Sequence, residues 1–424
     1  MQIYVVQQGD SLYSIAKRFG VSLHMLMETN GLPRPNDLIV GQSIVILTPE
    51  ITHTVEKNET LEHISNQYNI SLNQLYRNNP SLSARPQVIP GEEIVITYND
   101  KPTKSIMVNG FTYPNVSHEL LRNTMPFLTY VSPFTYSFTK EGDLIPLRDE
   151  SILRTTMEYN IRPLMSLSSI TDEGIFDSDL SNTILNDQEI EQKLINEVIE
   201  TMQSKNYSGI ILDFEYILPE NKNAYTNFVN IIKEALGGSD YKVYVALAPK
   251  TSSTQRGLLY EAHDYNALGN AADGVILMTY EWGYTYGPPM AVSPLPEVEK
   301  VIQYALTEIS EDKIFLGIPN YGYDWALPYI QGISKARVIG NEEALTIALT
   351  QNAAISYDEI SQAPFFNYYI NNQKHEVWFS DPRSIYAKFL LVEKYNLAGI
   401  SYWNLMNKFT QNWQILNTTF EIIQ

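Results

Sequence analysis

The sequence predicts an α/β protein: a (β/α)8 TIM barrel with a small α+β insertion, preceded by two small βααβ modules. Three observations lead to this prediction. The first hundred residues contain an internal duplication, apolar strand candidates alternate with helical segments from about residue 105 onward, and one strand candidate ends in two closely spaced carboxylates. At 424 residues the chain also exceeds the usual size of a single hydrophobic core.

The duplication aligns residues 6–16 with residues 55–65, and it extends through the following helical pattern. Ser11 and Thr60 precede apolar residues at helical spacing, and their hydroxyls are suited to accept the free amides of a first helical turn. A second short helix and a closing strand follow in each unit. The pattern predicts two βααβ modules, at 1–48 and 51–98, followed by a polar linker over 98–104.

The remaining residues, 104–424, carry eight strand candidates separated by segments that include amphipathic helices at 189–204, 223–235 and 297–310. The strand candidates are 105–112, 127–138, 162–167, 209–214, 242–248, 274–280, 314–319 and 398–403. This alternation is typical of a (β/α)8 barrel. The stretch from about 338 to 378 is too long for one crossover, and its helix at 342–350 with later strands predicts an inserted α+β subdomain.

The composition excludes several classes of function. With 29 basic and 48 acidic residues the formal net charge is −19, so binding to nucleic acid or to an anionic membrane through bulk charge is not expected. There is no cysteine, which excludes disulfides and thiolate metal sites. The first ten residues lack a basic segment followed by an apolar one, so we expect no secretory signal, and no apolar run is long enough to insert into a membrane.

The most informative segment is 208–215, in which Asp213 and Glu215 end an otherwise apolar strand. Side chains two residues apart on a strand point to the same face, so both carboxylates are expected in one pocket. Two close carboxylates in a partly desolvated site have pKa values that are pushed apart, which keeps one of them protonated near neutral pH. This arrangement suits the cleavage of glycosidic bonds, in which an acid must protonate the leaving oxygen.

Other candidate site residues lie at the ends of the same set of strands, where barrel enzymes place their catalytic groups. They combine aromatic rings, which stack on sugar faces, with polar groups for sugar hydroxyls. The candidates are Tyr216, Met278, Tyr280, Glu281, Tyr323, Asp324 and Trp403. The six histidines are scattered without ligand spacing, so neither a metal nor another cofactor is expected.

The duplicated modules resemble LysM domains, because each is a βααβ unit of this length with a late Asn and the first begins Gly-Asp-Ser-Leu. The resemblance implies binding to glycans that contain N-acetylglucosamine, such as peptidoglycan or chitin. It also implies a groove between the first strand–helix loop and the second helix–strand loop. The residues that this groove implies are Gly9, Asp10, Ser11 and Asn30 in the first module, and Asn58, Glu59, Thr60 and Asn79 in the second.

The barrel resembles glycoside hydrolase family 18. The family signature Asp-Gly-x-Asp-x-Asp-x-Glu aligns with residues 208–215 of this chain. The glycine, the last aspartate and the glutamate match, and Ser208 and Ile211 replace the other two aspartates. The family's Met-x-Tyr-Asp appears as Met-Thr-Tyr-Glu at 278–281, and its Trp on the last strand corresponds to Trp403.

The resemblance implies a retaining mechanism in which the 2-acetamido oxygen of the substrate attacks the anomeric carbon. Glu215 would be the general acid and base, Asp213 would hydrogen-bond the acetamide N–H, and Tyr280 would hold the acetamide oxygen. Trp403 would form the floor under the reacting sugar. Because Ile211 cannot pair with Asp213 as the family's middle aspartate does, Asp213 needs another partner or works with a different pKa.

Two LysM-like modules before such a barrel resemble the cortex-lytic N-acetylglucosaminidases of spore-forming bacteria. This implies hydrolysis of β-1,4 bonds in fragments of spore-cortex peptidoglycan during germination. It also implies a location in the spore coat or at the boundary between coat and cortex, with spore coat proteins as partners. The alternatives are a chitinase or an endo-β-N-acetylglucosaminidase that acts on another N-acetylated glycan, and a non-catalytic lectin that binds peptidoglycan.

Overall fold

The structure, a computed structural model, describes residues 1–83, 85, 87–171, 173–237 and 241–424. The first module consists of β1 (Gln2–Val5), α1 (Leu12–Phe19), α2 (Leu23–Asn30) and β2 (Ser43–Ile46). The second consists of β3 (Pro49–Thr54), α3 (Leu61–Tyr68), α4 (Leu72–Asn78), α5 (Pro80–Ser83) and β4 (Glu93–Tyr98). In each module the first and last strands pair antiparallel. The first module has the predicted βααβ order, and the second adds the short helix α5 before its last strand.

Local sequence explains where the module helices begin. Ser11 and Thr60 accept hydrogen bonds from the amides of Ser14 and His63, at 3.1 and 3.2 Å, as expected of N-caps. The preceding turn has a positive φ in both modules, 87° at Gly9 and 71° at Asn58. Asn tolerates this left-handed region better than most residues, so the second module keeps the same turn without the glycine.

The rest of the chain forms the barrel, its outer helices and an insertion. In chain order the elements are β5 (Lys104–Thr112), α6 (His118–Thr124), β6 (Tyr130–Pro133), β7 (Ser137–Phe138), β8 (Leu144–Ile145), α7 (Glu150–Tyr159), β9 (Arg162–Ser168), α8 (Ser178–Asn186), α9 (Gln188–Ser204), β10 (Gly209–Asp213), α10 (Lys222–Ala235), β11 (Lys242–Leu247), α11 (Tyr265–Ala271), β12 (Gly274–Leu277), α12 (Leu295–Glu308), β13 (Ile314–Pro319), β14 (Gly322–Leu327), β15 (Arg337–Ile339), α13 (Asn341–Thr350), β16 (Ser356–Asp358), β17 (Ala363–Ile370), β18 (Gln373–Trp378), α14 (Pro382–Lys394), β19 (Gly399–Trp403), α15 (Thr410–Thr419) and β20 (Phe420–Ile422).

Eight parallel strands close into a barrel, which confirms the predicted (β/α)8 fold. Their order is β5, β6, β9, β10, β11, β12, β13 and β19, and β19 pairs back with β5. The predicted strand at 127–138 is two strands in the structure: β6 belongs to the barrel, whereas β7 pairs with β8 in a small hairpin. None of the helices in the described part of the chain is long and apolar enough to span a membrane.

Alternation along the strands separates two apolar layers. The barrel interior is filled by a cluster that includes Ile211, Tyr244 and Phe315, while Leu212 and Phe214 face the outer helices. Gly209, which is shared with the family signature, lies where β10 and β11 approach closely. A Cβ at this position would lie 2.3 Å from the Lys242 carbonyl oxygen, so no larger residue fits without moving the strand.

The insertion is a five-stranded antiparallel sheet with one helix, α13. The strand order is β15, β14, β18, β17 and β16. Its first strand begins at Gly322, before the 338–378 range that the sequence suggested, because β14 follows directly on β13 without an intervening helix.

Both modules dock on the last helix, α15, of which residues 411–419 are buried. The Gln411 amide donates to the Asn30 side chain and to the Ser43 carbonyl, both at 2.8 Å. On the second module, Gln414 donates to the Arg77 carbonyl at 3.1 Å and Asn417 donates to the Asn78 side chain at 2.8 Å. Apolar packing adds to these polar contacts, since Leu75 and Tyr76 of the second module belong to the same buried cluster as Trp413 of α15.

Candidate active site

The carboxylates of segment 208–215 lie at the carboxyl end of β10. Asp213 is the last residue of the strand and is buried, and Glu215 follows two residues later and is half-buried. Between them Phe214 points outward, where its ring stacks on Tyr225 of α10 at 5.5 Å and 14°. This packing anchors the end of the strand that carries Asp213 and Glu215.

Burial dominates the electrostatics of this pair. It raises the pKa of Asp213 to about 7. The pKa of Glu215 is held well above its usual value by burial first, and then by the charges of Asp213 and Glu281. Because neighbouring buried carboxylates disfavour a second negative charge, the pair keeps a proton near neutral pH, as an acid catalyst requires.

The Oδ1 atom of Asp213 is buried and has no hydrogen-bond partner in the described part of the chain. Ile211, where the family signature has an aspartate, packs into the apolar barrel interior and offers no polar group. A buried acceptor without a partner is costly, so this oxygen is available to a donor that a ligand supplies.

Glu215 opens into a cavity of about 460 Å³ at the carboxyl ends of β10, β11 and β12. This volume is in the range of small-ligand sites. The lining combines three glutamates with aromatic and neutral polar side chains: Glu215, Pro249, Thr251, Ser252, Gln255, Leu259, Tyr260, Met278, Tyr280, Glu281, Trp282 and Glu297.

Met278 and Tyr280 lie just beyond β12, whose paired residues end at Leu277 rather than at 280 as the sequence predicted. Burial, and then the Asp213 charge, raises the pKa of the Tyr280 hydroxyl well above its usual value, so this group remains a neutral donor. Tyr280 packs closely over β13, since a Cβ on Gly317 would lie 2.9 Å from its ring.

Glu281 borders the cavity in a left-handed backbone conformation, with φ of 68°. The Tyr323 hydroxyl donates to both of its carboxylate oxygens at 3.0 Å, and the Tyr321 hydroxyl donates to one of them. Tyr323 itself is buried, so it contributes to the site by orienting Glu281. Burial raises the pKa of Glu281, and the two tyrosine hydroxyls oppose that shift.

Trp403 ends β19 in a cluster of aromatic rings. It contacts Phe134 edge-on at 4.7 Å, with Phe111 at 5.5 Å and Tyr113 at 6.1 Å. Trp403 and Tyr280 pack on the same apolar cluster at this end of the barrel. The ring contacts hold the indole in place at this end of the barrel.

Five of the predicted site residues of the barrel do not line this cavity: Asp213, Tyr216, Tyr323, Asp324 and Trp403. Tyr216 is 40% exposed, and its carbonyl accepts a hydrogen bond from Ser178 at 2.6 Å. Asp324 is buried within the insertion, where its carboxylate accepts hydrogen bonds from Tyr368 at 2.7 Å and His375 at 2.8 Å. The prediction of Asp324 as a substrate contact is therefore corrected: its oxygens are already bound, and it stabilises the insertion.

The turn that precedes the first helix is accessible in both modules, and it contains Gly9, Asp10, Ser11, Asn58, Glu59 and Thr60. The acidic residues of this turn are ordered by equivalent contacts. Asp10 accepts hydrogen bonds from the Tyr4 hydroxyl and the Gln7 amide, while Glu59 bonds His53 and accepts from the Glu56 amide.

The two late asparagines occupy a different place. Asn30 and Asn79 are buried, and each side chain bonds the backbone of the module's last strand, at Val45 and Val95 respectively. The prediction that Asn30 and Asn79 lie in the glycan groove is therefore corrected. Their side chains form hydrogen bonds within the module, between the second helix and the last strand.

Several lining residues were not among the candidates that the sequence provided. Gln255 and Tyr260 belong to the long connection between β11 and α11, and Trp282 follows Glu281 directly. The sequence could have indicated these residues, because the connections that follow barrel strands form the active sites of such enzymes. Aromatic and amide side chains in such a connection are candidates for sugar contacts. Within the described residues no group of three or more His, Cys, Asp or Glu could hold a metal ion.

Comparison with known proteins assigns both parts of the chain to families. The family described as glycosyl hydrolases family 18 matches residues 123–407, and the LysM domain matches residues 4–47 and 53–97. A cortical fragment-lytic enzyme of Bacillus subtilis (strain 168) is 41% identical to this chain. The alignment covers 100% of this chain and 99% of that enzyme. A cortical fragment-lytic enzyme of Bacillus anthracis is 36% identical, and the alignment again covers 100% of this chain and 99% of the enzyme.

Among solved structures, the spore cortex-lytic enzyme SleL of Bacillus megaterium QM B1551 has a TM-score of 0.85. It is 36% identical, and the likeness covers 100% of this chain and 98% of that one. The similarity thus includes the two modules as well as the barrel. The chain belongs to glycosyl hydrolases family 18, is a glycoside hydrolase, and carries two LysM domains ahead of its catalytic barrel.

Proposed function

We propose that the chain is an N-acetylglucosaminidase that hydrolyses β-1,4 bonds in fragments of spore-cortex peptidoglycan during germination, with retention of configuration. The observation that carries the proposal is the pair of neighbouring carboxyls Asp213 and Glu215, whose pKa values burial raises, with Glu215 in the wall of the cavity. Full-length similarity to enzymes named for lysis of cortical fragments supports the substrate.

In the proposed mechanism the protonated Glu215 carboxyl donates its proton to the glycosidic oxygen as that oxygen leaves the anomeric carbon. The acetamido oxygen of the same sugar forms the new bond to the anomeric carbon, giving a cyclic oxazolinium. The Glu215 carboxylate then takes a proton from water while the water oxygen attacks the anomeric carbon and opens the ring. General acid–base assistance of this kind contributes about 10²–10⁴-fold in rate.

The other predicted residues support the reacting sugar. The Oδ1 of Asp213 accepts the acetamide N–H, which would satisfy a buried acceptor that has no partner among the described residues. The Tyr280 hydroxyl donates to the acetamide oxygen, and Trp403 packs beneath the sugar ring. Met278, Glu281 and Tyr216 contact the flanking sugar residues, and Glu281 is oriented for this by Tyr323.

Both LysM modules bind peptidoglycan strands in this proposal. The exposed turns at 9–11 and 58–60 are the proposed contact points. Because the modules are docked on α15, a strand held by them remains close to the catalytic barrel and a second contact is effectively intramolecular.

The test of the proposed function is product analysis of cortex fragments by mass spectrometry after borohydride reduction. N-acetylglucosaminidase cleavage leaves N-acetylglucosamine at the new reducing ends, so we expect reduced N-acetylglucosamine and no new reduced muramic acid. New reduced muramic acid would contradict the bond specificity. Cleavage of chitin oligomers but not of cortex fragments would favour a chitinase, and binding of both without cleavage would favour a lectin.

We further propose that the enzyme resides in the spore coat or at the coat–cortex boundary and contacts coat proteins there. Its similarity to enzymes named for action on cortical fragments supports this location. Immunogold labelling of spore sections tests it, with label expected at the coat and its inner edge. Label confined to the spore core would contradict the proposed location.

A further inference from the structure

His263 contacts the backbone between the two catalytic carboxylates. Its side chain is 1% exposed, and its Nε2 lies 3.0 Å from the carbonyl oxygen of Phe214, which joins Asp213 to Glu215. Its Nδ1 accepts the amide of Ala248 at 2.9 Å. Since Nδ1 is an acceptor, Nε2 carries the proton and donates it to the Phe214 carbonyl.

The two hydrogen bonds of the imidazole lie just beyond the ends of two neighbouring barrel strands. Phe214 and Ala248 are the first residues beyond β10 and β11, so neither lies within the paired part of its strand. The imidazole bridges the two chain segments where the backbone ladder has ended. It therefore supplies through a side chain the restraint that the next backbone hydrogen bond would have provided.

Further hydrogen bonds link the backbone of His263 to the segment that follows β11. The buried Lys250 ammonium donates to the His263 carbonyl at 2.9 Å, and the Tyr265 hydroxyl accepts the Lys250 amide and donates to the Ala248 carbonyl. The Tyr225 ring, which stacks on Phe214, lies 6.2 Å from the imidazole. Burial lowers the pKa of His263 to about 4, so the ring stays neutral and keeps one donor and one acceptor at working pH.

We propose that His263 is a positioning residue for hydrolysis, because its hydrogen bond fixes the peptide that carries both Asp213 and Glu215. The imidazole touches no substrate and transfers no proton. A displacement of about 1 Å at a catalytic group costs up to about 10²-fold in rate, so loss of this bond should act mainly on kcat. The proposal rests on the proposed function, and cleavage by the wild type in the same assay reports on that function separately.

The test uses the full chain with His263→Ala, assayed on cortex fragments with and without added imidazole. We expect kcat to fall by about 10–100-fold, with KM within about threefold of wild type. Imidazole should restore activity because it offers one N–H donor and one acceptor in the vacated space. N-methylimidazole, which is also a base but has no N–H in its neutral form, should not restore it.

His118→Ala, at an exposed position on α6, is the matched control and should retain wild-type kcat. Unchanged kcat in folded His263→Ala, or equal restoration by both imidazoles, would overturn the proposal. If His263→Ala does not fold, His263→Gln and His263→Leu replace it, since only glutamine keeps a donor. A kcat at least about tenfold higher for the glutamine variant supports positioning, and equal kcat values overturn it.

Discussion

At the scale of single residues, burial determines the chemistry of the site. Strand alternation was enough to predict from the sequence that Leu212 and Phe214 turn outward. The common pocket of Asp213 and Glu215 stays a prediction, since Glu215 lines the cavity and Asp213 does not. Their pKa values were not predictable to the same degree, because the surrounding groups come from other strands. Glu281, which adds to the raised pKa of Glu215, follows β12 and is oriented by tyrosines near β14.

The raised pKa of Asp213 predicts a pH-dependent effect on stability. Burial moves this pKa from 3.8 to about 7 in the folded state, so the folded protein binds the proton more tightly than the unfolded chain. The free energy of unfolding should therefore fall as pH rises between these values. Asp213→Asn removes the buried charge and should stabilise the protein by roughly 2–4 kcal/mol at pH 8, with the difference shrinking toward zero near pH 4.

Urea unfolding of Asp213→Asn and wild type across this pH range measures the difference. Asp179→Asn, at an exposed position on α8, serves as the control and should show no comparable trend. A variant whose advantage over wild type does not grow with pH would contradict the burial account of Asp213.

At the scale of elements, most of the fold followed from periodicity, and the exceptions have physical reasons. The predicted strand at 127–138 divides because only β6 finds a parallel neighbour on each side. Family resemblance predicts that the late asparagine of each module lies in the glycan groove. Its burial depends on how the second helix meets the last strand, which sequence spacing alone does not reveal.

This structural role predicts a large stability cost for Asn79→Ala. The side chain accepts from the Val95 amide and donates to the Val95 carbonyl, both at 2.7 Å, and its loss leaves buried backbone groups unpaired. We expect a loss of about 2–3 kcal/mol in the free energy of unfolding. Asn66→Ala, at an exposed position on α3, is the matched control and should change stability by less than about 0.5 kcal/mol. Equal effects of the two substitutions in urea titrations would rule out the assigned role of Asn79.

At the scale of the whole molecule, the modules and the barrel form a continuous packed unit. The repeats and the polar segment at 98–104 predicted separate modules, but not their docking on α15. The docking contacts use Gln411, Gln414 and Asn417, residue types that a sequence pattern assigns to an exposed surface. Packing across domains is not visible in the periodicity of any one element.

Docking predicts coupled unfolding. Since α15 is buried by both modules, we expect a single calorimetric transition for the full chain, with the calorimetric and van't Hoff enthalpies in agreement. Deletion of residues 1–100 should lower the melting temperature of the barrel, because it exposes this helix. Two resolved transitions, with the barrel transition unchanged by the deletion, would contradict the coupling.

The measurement that tests the central claim most directly compares kcat/KM on cortex fragments for wild type, Glu215→Gln and Glu220→Gln. Glutamine at 215 keeps the size of the side chain but removes the acidic proton, whereas Glu220 is exposed five residues further along the chain. The account predicts a loss of about 10²–10⁴-fold for Glu215→Gln and wild-type activity for Glu220→Gln. Activity of Glu215→Gln within a few-fold of wild type would contradict the assignment of Glu215 as the catalytic acid.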